Sequence, residues 1–367
     1  MTQQNAHSQS FDAVSTVVDT DVHVSEMQYD IVPYLEEPFG EVLTQDREDG
    51  YINMFYPNAG HLRPSELSHA DPGVVRSVED LSDAMAMLDT DVSLLTPGLN
   101  LALGAAHHDE LAAGLATAYN NWLLDTLLDD AGDQARGALV VAPQCPQRAA
   151  EEIERRKDES DFKAVMIPSG GVNPMLGHER YFPIYEAAED AGLPVLLHAA
   201  ASVASASFPM QWHGAKRHID THVTSHPAEQ MWHLSTLLTN GVPVRYPDLD
   251  IVIQEAGIGW IPYFIRRYDN EYSKGSEDAP LLEKRPSSYI DDSFYFTSQP
   301  VEGADDPQYV TQMVRLFNGS RNLMFSSDFP HYDFDHSGDF YRSLQTEFSD
   351  DEIANIYGET AIEVFDL

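Results

Sequence analysis

The chain reads as an α/β protein folded as a distorted (β/α)8 TIM barrel, with a long insertion after its first strand. Three observations predict this fold. Eight short β-rich runs alternate with helical segments along the 367 residues. Most of these runs are continuously apolar, the pattern of strands buried on both faces of a parallel sheet. Carboxylates and imidazoles stand at the C-terminal ends of four runs, where barrel enzymes carry their chemistry.

The predicted strands are Ser15–Val22, Asp91–Thr96, Gly137–Ala142, Lys163–Ile167, Pro194–Leu197, Ile251–Gln254, Phe294–Thr297 and Asn322–Ser326. Between them, Asp109–Asp129 carries apolar residues at helical spacing, and Gln147–Arg156 and Tyr181–Ala191 are shorter helices. Ala228–Leu238 follows Pro227, whose fixed φ and missing N–H suit a first helical turn. Gly192 ends one helix and Pro194 opens the next strand. This alternation favours a closed barrel over an open doubly wound sheet.

At 43% hydrophobic residues the chain can bury a large core. A barrel needs about 250 residues, so one domain with an insertion accounts for the length. Residues 1–15 are polar and read as a disordered tail, and 16–367 as a single barrel domain. Residues 25–90 hold Pro, Gly and aromatics with little periodicity. Following a barrel strand, they read as a lid or cap over the catalytic face, or else as a surface for subunit contact. The single cysteine, Cys145, excludes an intrachain disulfide and a Cys-based zinc cage, and reads as a packed residue. No apolar stretch reaches the roughly 18 residues of a membrane span, so the expected setting is soluble and cytoplasmic.

The charge balance is extreme, with 60 acidic residues against 21 basic ones, five of them Lys, and a net charge of −39. Such a polyanion repels nucleic acid and anionic membranes. The expected partners are a small-molecule substrate and a second copy of the chain, in a homo-oligomer (dimer). Self-repulsion of this size strains a compact fold unless salt screens it, and at about 1 M salt the Debye length is roughly 3 Å. The surface therefore reads as adapted to a high-salt cytoplasm, as in a halophilic archaeon.

The first predicted strand ends in Asp21-Val22-His23, the fifth run leads into His198, the sixth into Glu255 and the eighth into Asp328. Asp21 and His23 are two apart, so on a strand both point to one face and reach one ion. His198 and Asp328 complete a set of two nitrogens and two oxygens suited to Zn2+ and similar ions. Each residue also has a plainer reading. Asp21 and His23 read as loop or capping residues, His198 as a hydrogen-bonded core histidine, and Asp328 as the start of a turn. Their joint placement at one barrel end favours the metal. Glu255 is an acid/base group, a further ligand or a partner of a ligand, against a plainer role accepting loop amides beside the glycines.

The segments DTDVHVSE, AYNNWLLD, RYFPIYEAAEDAGLPVLLH, SHPAEQMWHLSTLLTNGVPVRYPDLDIVIQEAGIGWIPYFIRRYD and NLMFSSDFPHYDFD carry a family resemblance. From Val17 onward the chain resembles the amidohydrolase-related family of metal-dependent TIM-barrel hydrolases and decarboxylases. That branch includes aminocarboxymuconate-semialdehyde decarboxylase and γ-resorcylate decarboxylase. The resemblance implies one divalent ion, Zn2+ with Mn2+ or Mg2+ as alternatives, on Asp21, His23, His198 and Asp328. It implies a second role for Asp328, moving protons. The sequence departs from the named decarboxylases at Glu255, where they place a catalytic histidine. Glu255 is thus a second catalytic candidate.

Around this set stand His331, which contacts substrate or braces Asp328, and His222, which faces the pocket. His226 reads as a second pocket residue or as a helix-entry residue before Pro227. Glu26 either approaches the site or caps the segment that follows. Arg266 and Arg267 pair with acids on a helix. The expected function is a metal-dependent hydrolase or non-oxidative decarboxylase acting on a small carboxylated or cyclic molecule. The alternative is a non-catalytic barrel that keeps a structural ion.

The −39 charge with five Lys yields a first prediction. Thermal melts in rising KCl should show the midpoint climbing from low salt into the molar range. A flat or falling midpoint would contradict a salt-adapted surface.

Overall fold

The computed structural model describes residues 11–41, 73–212 and 214–367. Eight parallel strands form one sheet in sequence order: β1 (Val18–His23), β2 (Val92–Thr96), β3 (Ala135–Val140), β4 (Phe162–Pro168), β5 (Val195–His198), β6 (Ile251–Gln254), β7 (Phe294–Thr297) and β8 (Leu323–Met324). Nearly every strand residue is buried. This is why the runs read as continuously apolar, since neither face of these strands meets water.

The predicted runs coincide with these strands to within three residues at either end, and the eighth is the shortest strand. Only Leu323 and Met324 keep the regular ladder with β7. Beyond them, side chains take over from backbone partners: the Ser326 amide donates to Ser298 Oγ (3.1 Å) and the Ser327 amide to Asp19 Oδ1 (2.9 Å). The same segment closes the barrel onto β1. The Thr20 amide donates to the Phe325 carbonyl (3.1 Å), the Asp328 amide to that of Asp21 (3.0 Å), and the His23 amide to that of Phe329 (2.7 Å).

Helices join successive strands. α1 (Val78–Leu88) starts at Ser77, whose hydroxyl accepts from the Asp80 amide (3.2 Å), and it buries Leu81, Ala84, Met85 and Leu88. The stretch 25–90 therefore contains the first helix of the barrel as well as shorter turns. Residues 1–10 of the expected tail and 42–72 of the expected cap lie outside the described residues. Phe11 packs edge-on against Tyr341 with ring centroids 4.8 Å apart. α2 (Asp109–Leu123) continues through a π turn at Leu124–Leu128 into Asp129–Ala131, matching the predicted span. α3 (Pro146–Arg156) and α4 (Phe182–Ala191) follow, and α4 ends at Gly192 with φ 66°.

α5 (His218–Thr239) departs from expectation. The sequence places a helix start at Pro227, yet the helix begins at His218 and runs through that proline. An interior proline costs about 3 kcal/mol, through its missing N–H and a clash one turn back. A capped start offsets this, with the Arg217 amide donating to Asp220 Oδ2 (3.1 Å), and so does burial of Thr221, Ser225 and His226. His226 is therefore an interior residue of α5 and not its entry. Further helices include α6 (Ile261–Gly275), α7 (Pro307–Leu316) and α8 (Ser337–Leu344). Among the described residues no helix is long and apolar enough to cross a membrane.

Asp250 sits just before β6, where its carbonyl accepts from the Val195 amide (2.9 Å). Burial, with Glu363 nearby, pushes its carboxyl up to about 6. The folded chain thus holds this proton more tightly than the unfolded chain. Its contribution to stability is present below about pH 4 and is lost as pH rises through 6. Asp250→Asn should raise the melting temperature at pH 7–8 and leave it nearly unchanged at pH 4. Equal shifts at both pH values would contradict this reading.

Candidate metal centre

On β1 the i, i+2 spacing turns Asp21 and His23 to one side, a register shift against β2 falls between Asp19 and Val22, and Asp19, Asp21 and His23 are all buried. Two fixed contacts orient the strand end. Thr96 donates its hydroxyl to Asp21 Oδ1 (2.8 Å), and His23 Nδ1 lies 2.7 Å from the Pro97 carbonyl. At the end of β5, His198 Nδ1 lies 2.7 Å from the Ala199 carbonyl. A carbonyl only accepts, so each ring carries its proton on Nδ1 and turns Nε2 inward. Both Nε2 atoms meet carboxylates there. His198 Nε2 is 3.2 Å from Asp21 Oδ2, and His23 Nε2 is 2.9 Å from Asp328 Oδ1.

Glu255 and Asp328 reach the cluster from irregular backbone, with left-handed φ angles of 46° and 65°. A non-glycine residue held there costs about 1–3 kcal/mol, and such strain gathers at functional sites. Glu255 Oε2 lies 3.4 Å from His198 Nε2, and its Oε1 lies 3.4 Å from His226 Nε2. Asp328 Oδ1 also lies 2.6 Å from His331 Nδ1. The amides beside the glycines go to another residue, because Glu302 Oε2 accepts from Ile258 (3.0 Å) and Gly259 (3.2 Å). Glu302 crowds Gly257 as well. A Cβ there, at φ 71°, would come within 2.2 Å of Glu302 Oε1, so the position requires glycine.

The electrostatics favour positive charge at the centre. Burial alone would raise both aspartates. The His198 and His23 imidazoles nevertheless hold Asp21 below the usual carboxylate range, and His331 and His23 do the same for Asp328. Burial disfavours a charged His23, yet Asp21 and Asp328 lift it to about 9. Asp19, one strand position deeper, is pushed up to about 7 by burial. His226 is driven down to about 3 by burial and by its histidine neighbours, so it is neutral.

These residues fit a divalent cation. His23 Nε2 and Asp328 Oδ1 are close but not aligned for a hydrogen bond, and Asp328 Oδ2 is buried without a partner. Polar atoms buried in this state are costly unless a cation or water completes them. Ligand atoms of Asp21, His23 and His198 lie within 4.8 Å of one another, as do those of His23, Glu255, Asp328 and His331. The donors are imidazole nitrogens and carboxylate oxygens, which suit zinc or manganese.

Of the residues singled out in the sequence, Asp21, His23, His198, Glu255 and Asp328 come together at one mouth. His331 joins them, its ring tilted over His23 at 4.3 Å. His222 stands further out on α5, with Nε2 3.7 Å from Asp333 Oδ2. Glu26 is placed elsewhere. Its carboxylate accepts from the amides of Gly98 (2.9 Å) and Asn100 (2.8 Å) and from the Asn100 side chain (3.1 Å), holding the loop after β2. Arg267 pairs with Glu271 on α6, as expected. Asp19 and Thr96 join the site's hydrogen bonds without having been expected there. Asp19 extends the same two-residue spacing and was open to detection, whereas nothing local marks Thr96. A cleft of about 440 Å3 lined by Gln144, Cys145, Arg148 and Arg180 shares no residue with this cluster. Burial pushes the Cys145 thiol up, which disfavours the thiolate a nucleophile needs.

The chain is similar to several known proteins. A γ-resorcylate decarboxylase from Polaromonas is 24% identical over 229 residues, spanning 59% of this chain and 66% of the relative. The chain thus spans just under two thirds of that relative's length. A 2-amino-3-carboxymuconate-6-semialdehyde decarboxylase from Dictyostelium discoideum is 24% identical over 226 residues, spanning 61% of this chain and 59% of the relative. The crystal structure of a 5-carboxyvanillate decarboxylase from Novosphingobium aromaticivorans, with bound manganese, has the same fold. It gives a TM-score of 0.69 at 20% identity, over 98% of this chain and 99% of the other. The amidohydrolase family profile matches residues 18–367, and this chain, a parallel eight-stranded barrel with histidines and carboxylates gathered at its mouth, belongs to the amidohydrolase family.

Proposed function

We propose that this chain is a metal-dependent decarboxylase that removes CO2 without oxidation from a small aromatic carboxylate. The observation that carries the metal is the pair of imidazoles pinned at Nδ1, with both Nε2 atoms aimed at buried carboxylates. The relatives named above, all decarboxylases, support the reaction class. Asp21, His23, His198 and Asp328 would hold the ion, zinc or manganese. When bound, it would supply a Lewis acid for a carboxylate or phenolic oxygen of the substrate.

The chain's own residues handle the proton. Loss of CO2 leaves the electron pair of the broken C–C bond on the ring carbon, which must take up a proton. Asp328 and His331, 2.6 Å apart at the mouth, are placed to deliver it. Glu255 is the second carboxylate within reach, and His222 lines the approach. A second reading is hydrolysis. It is favoured by Glu255 itself, a carboxylate where the named decarboxylases place a histidine, and one able to take a proton from water. The expected setting, a dimer in a high-salt cytoplasm, belongs to the same proposal.

Protein stripped with a chelator should lose CO2 release from hydroxylated benzoates and regain it with Mn2+ or Zn2+. Its melting temperature should fall on stripping, since an ion that binds only the folded state stabilises it. Asp328→Asn should lower turnover by about 10²–10⁴-fold, the usual worth of an acid–base group. Glu255→Gln separates roles. Normal metal content with collapsed turnover assigns it to the proton, and lost metal makes it a ligand. Water-consuming cleavage of cyclic amides or lactones, with no CO2 from any benzoate, would replace this reading with the hydrolytic one.

Glu26 yields a separate expectation. Glu26→Ala strands the backbone amides of Gly98 and Asn100 and should cost about 2–6 kcal/mol, at about 1–3 kcal/mol for each. Glu26→Gln keeps an acceptor and should cost less, with KM unchanged. A raised KM in Glu26→Gln at normal stability would instead place Glu26 against the substrate.

A further inference from the structure

Helix α5 carries cation-binding side chains that the first centre does not use. His222 and His226 are four residues apart, one turn above the other on the same face. Their ring centroids are 5.1 Å apart. Ligand atoms of His222, His226 and Glu255 lie within 4.8 Å of one another, so a single ion can touch all three. Helical histidine pairs at this spacing reach one ion in metalloproteases for the same geometric reason. Two imidazoles and a carboxylate suit zinc, manganese or cobalt, with positions left for water or substrate.

Glu255 joins this group to the first centre. Its Oε2 faces His198 Nε2 and its Oε1 faces His226 Nε2, each at 3.4 Å. One carboxylate thus presents one oxygen to each histidine set, as a carboxylate shared by two ions does. Charge points the same way. Asp21, Glu255 and Asp328 are buried together, and Asp333, 3.7 Å from His222, adds a fourth carboxylate. One divalent ion offsets two of these charges, and two ions offset all four.

We propose that His222, His226 and Glu255 form a second divalent-cation site, linked through the Glu255 carboxylate to the centre formed by Asp21, His23, His198 and Asp328. It rests on the first centre being a metal site. It also takes Glu255 out of proton transfer, leaving that step to Asp328 and His331.

Metal stoichiometry tests it. The full chain is stripped, titrated with Mn2+ in molar KCl, desalted and assayed for bound metal. The salt suppresses adventitious binding to the acidic surface. Two equivalents are expected in the parent protein, with an electron paramagnetic resonance signal showing coupled Mn2+ ions. His222→Ala should bind one equivalent and lose the coupling. This side chain is 18% exposed, so its truncation spares the core. His226→Gln should behave alike, and thermal melts confirm that both variants fold. One equivalent in the parent, unaffected by His222→Ala and lost in His198→Ala, overturns the second site and leaves the first standing. Two equivalents that survive both α5 variants overturn it as well. No bound metal in the parent overturns both centres.

Discussion

Asp19 ties the last strand of the barrel to the first. Its Oδ1 accepts from the Ser327 amide (2.9 Å) and the Asp21 amide (3.2 Å), at the point where the regular β8 ladder has already ended. Backbone bonds from Thr20, His23 and Asp328 continue the closure on either side. Without this seam Asp328 would not lie against His23, and the cluster would lose a carboxylate. Burial raises the Asp19 carboxyl to about 7. The seam is therefore held by a group that takes up a proton more readily than an exposed aspartate does.

The centre itself is organised by charge. Three carboxylates and several imidazoles are buried within a few ångströms of one another, in a chain that carries a net −39. Isolated buried charges of this kind are costly, and they persist only when paired, hydrogen-bonded or coordinated. Backbone carbonyls at Pro97 and Ala199 fix the rings, and Thr96 fixes Asp21. Left-handed backbone at Glu255 and Asp328 brings the remaining carboxylates in from loops. The rigid strands supply orientation, and the strained strand ends supply reach.

Much of this was legible in the residues because burial on both faces leaves a simple mark. Val195 to Leu197 reads as an unbroken apolar run ending in His198, and Ile251 to Ile253 as one followed by Gln254 and then Glu255, and His198 and Glu255 are the residues at the mouth. The Asp21–His23 spacing carried its own geometry. Three things were hidden. Pro227 signals a helix start by local rules, and the capped and packed turn upstream overrides it. Glu26 looks like a site residue by its nearness to His23, but its partners lie at Gly98 and Asn100, more than seventy residues further on. The loop-amide role weighed for Glu255 belongs to Glu302, a pairing across 43–44 positions that no local pattern shows.

The proposed ligands of the first centre are spread over β1, β5 and the end of β8. They therefore become available in sequence while the chain is being made. At synthesis rates of about 5–20 residues per second, Asp328 follows His23 out of the ribosome by on the order of tens of seconds. Until then the nascent chain has no closed barrel to offer an ion, only separate strands bearing weak, partial ligand sets. With these proposed ligands, metal capture would be a late event in the birth of the molecule. A cell short of the right metal would accumulate finished but unloaded barrels rather than half-built ones.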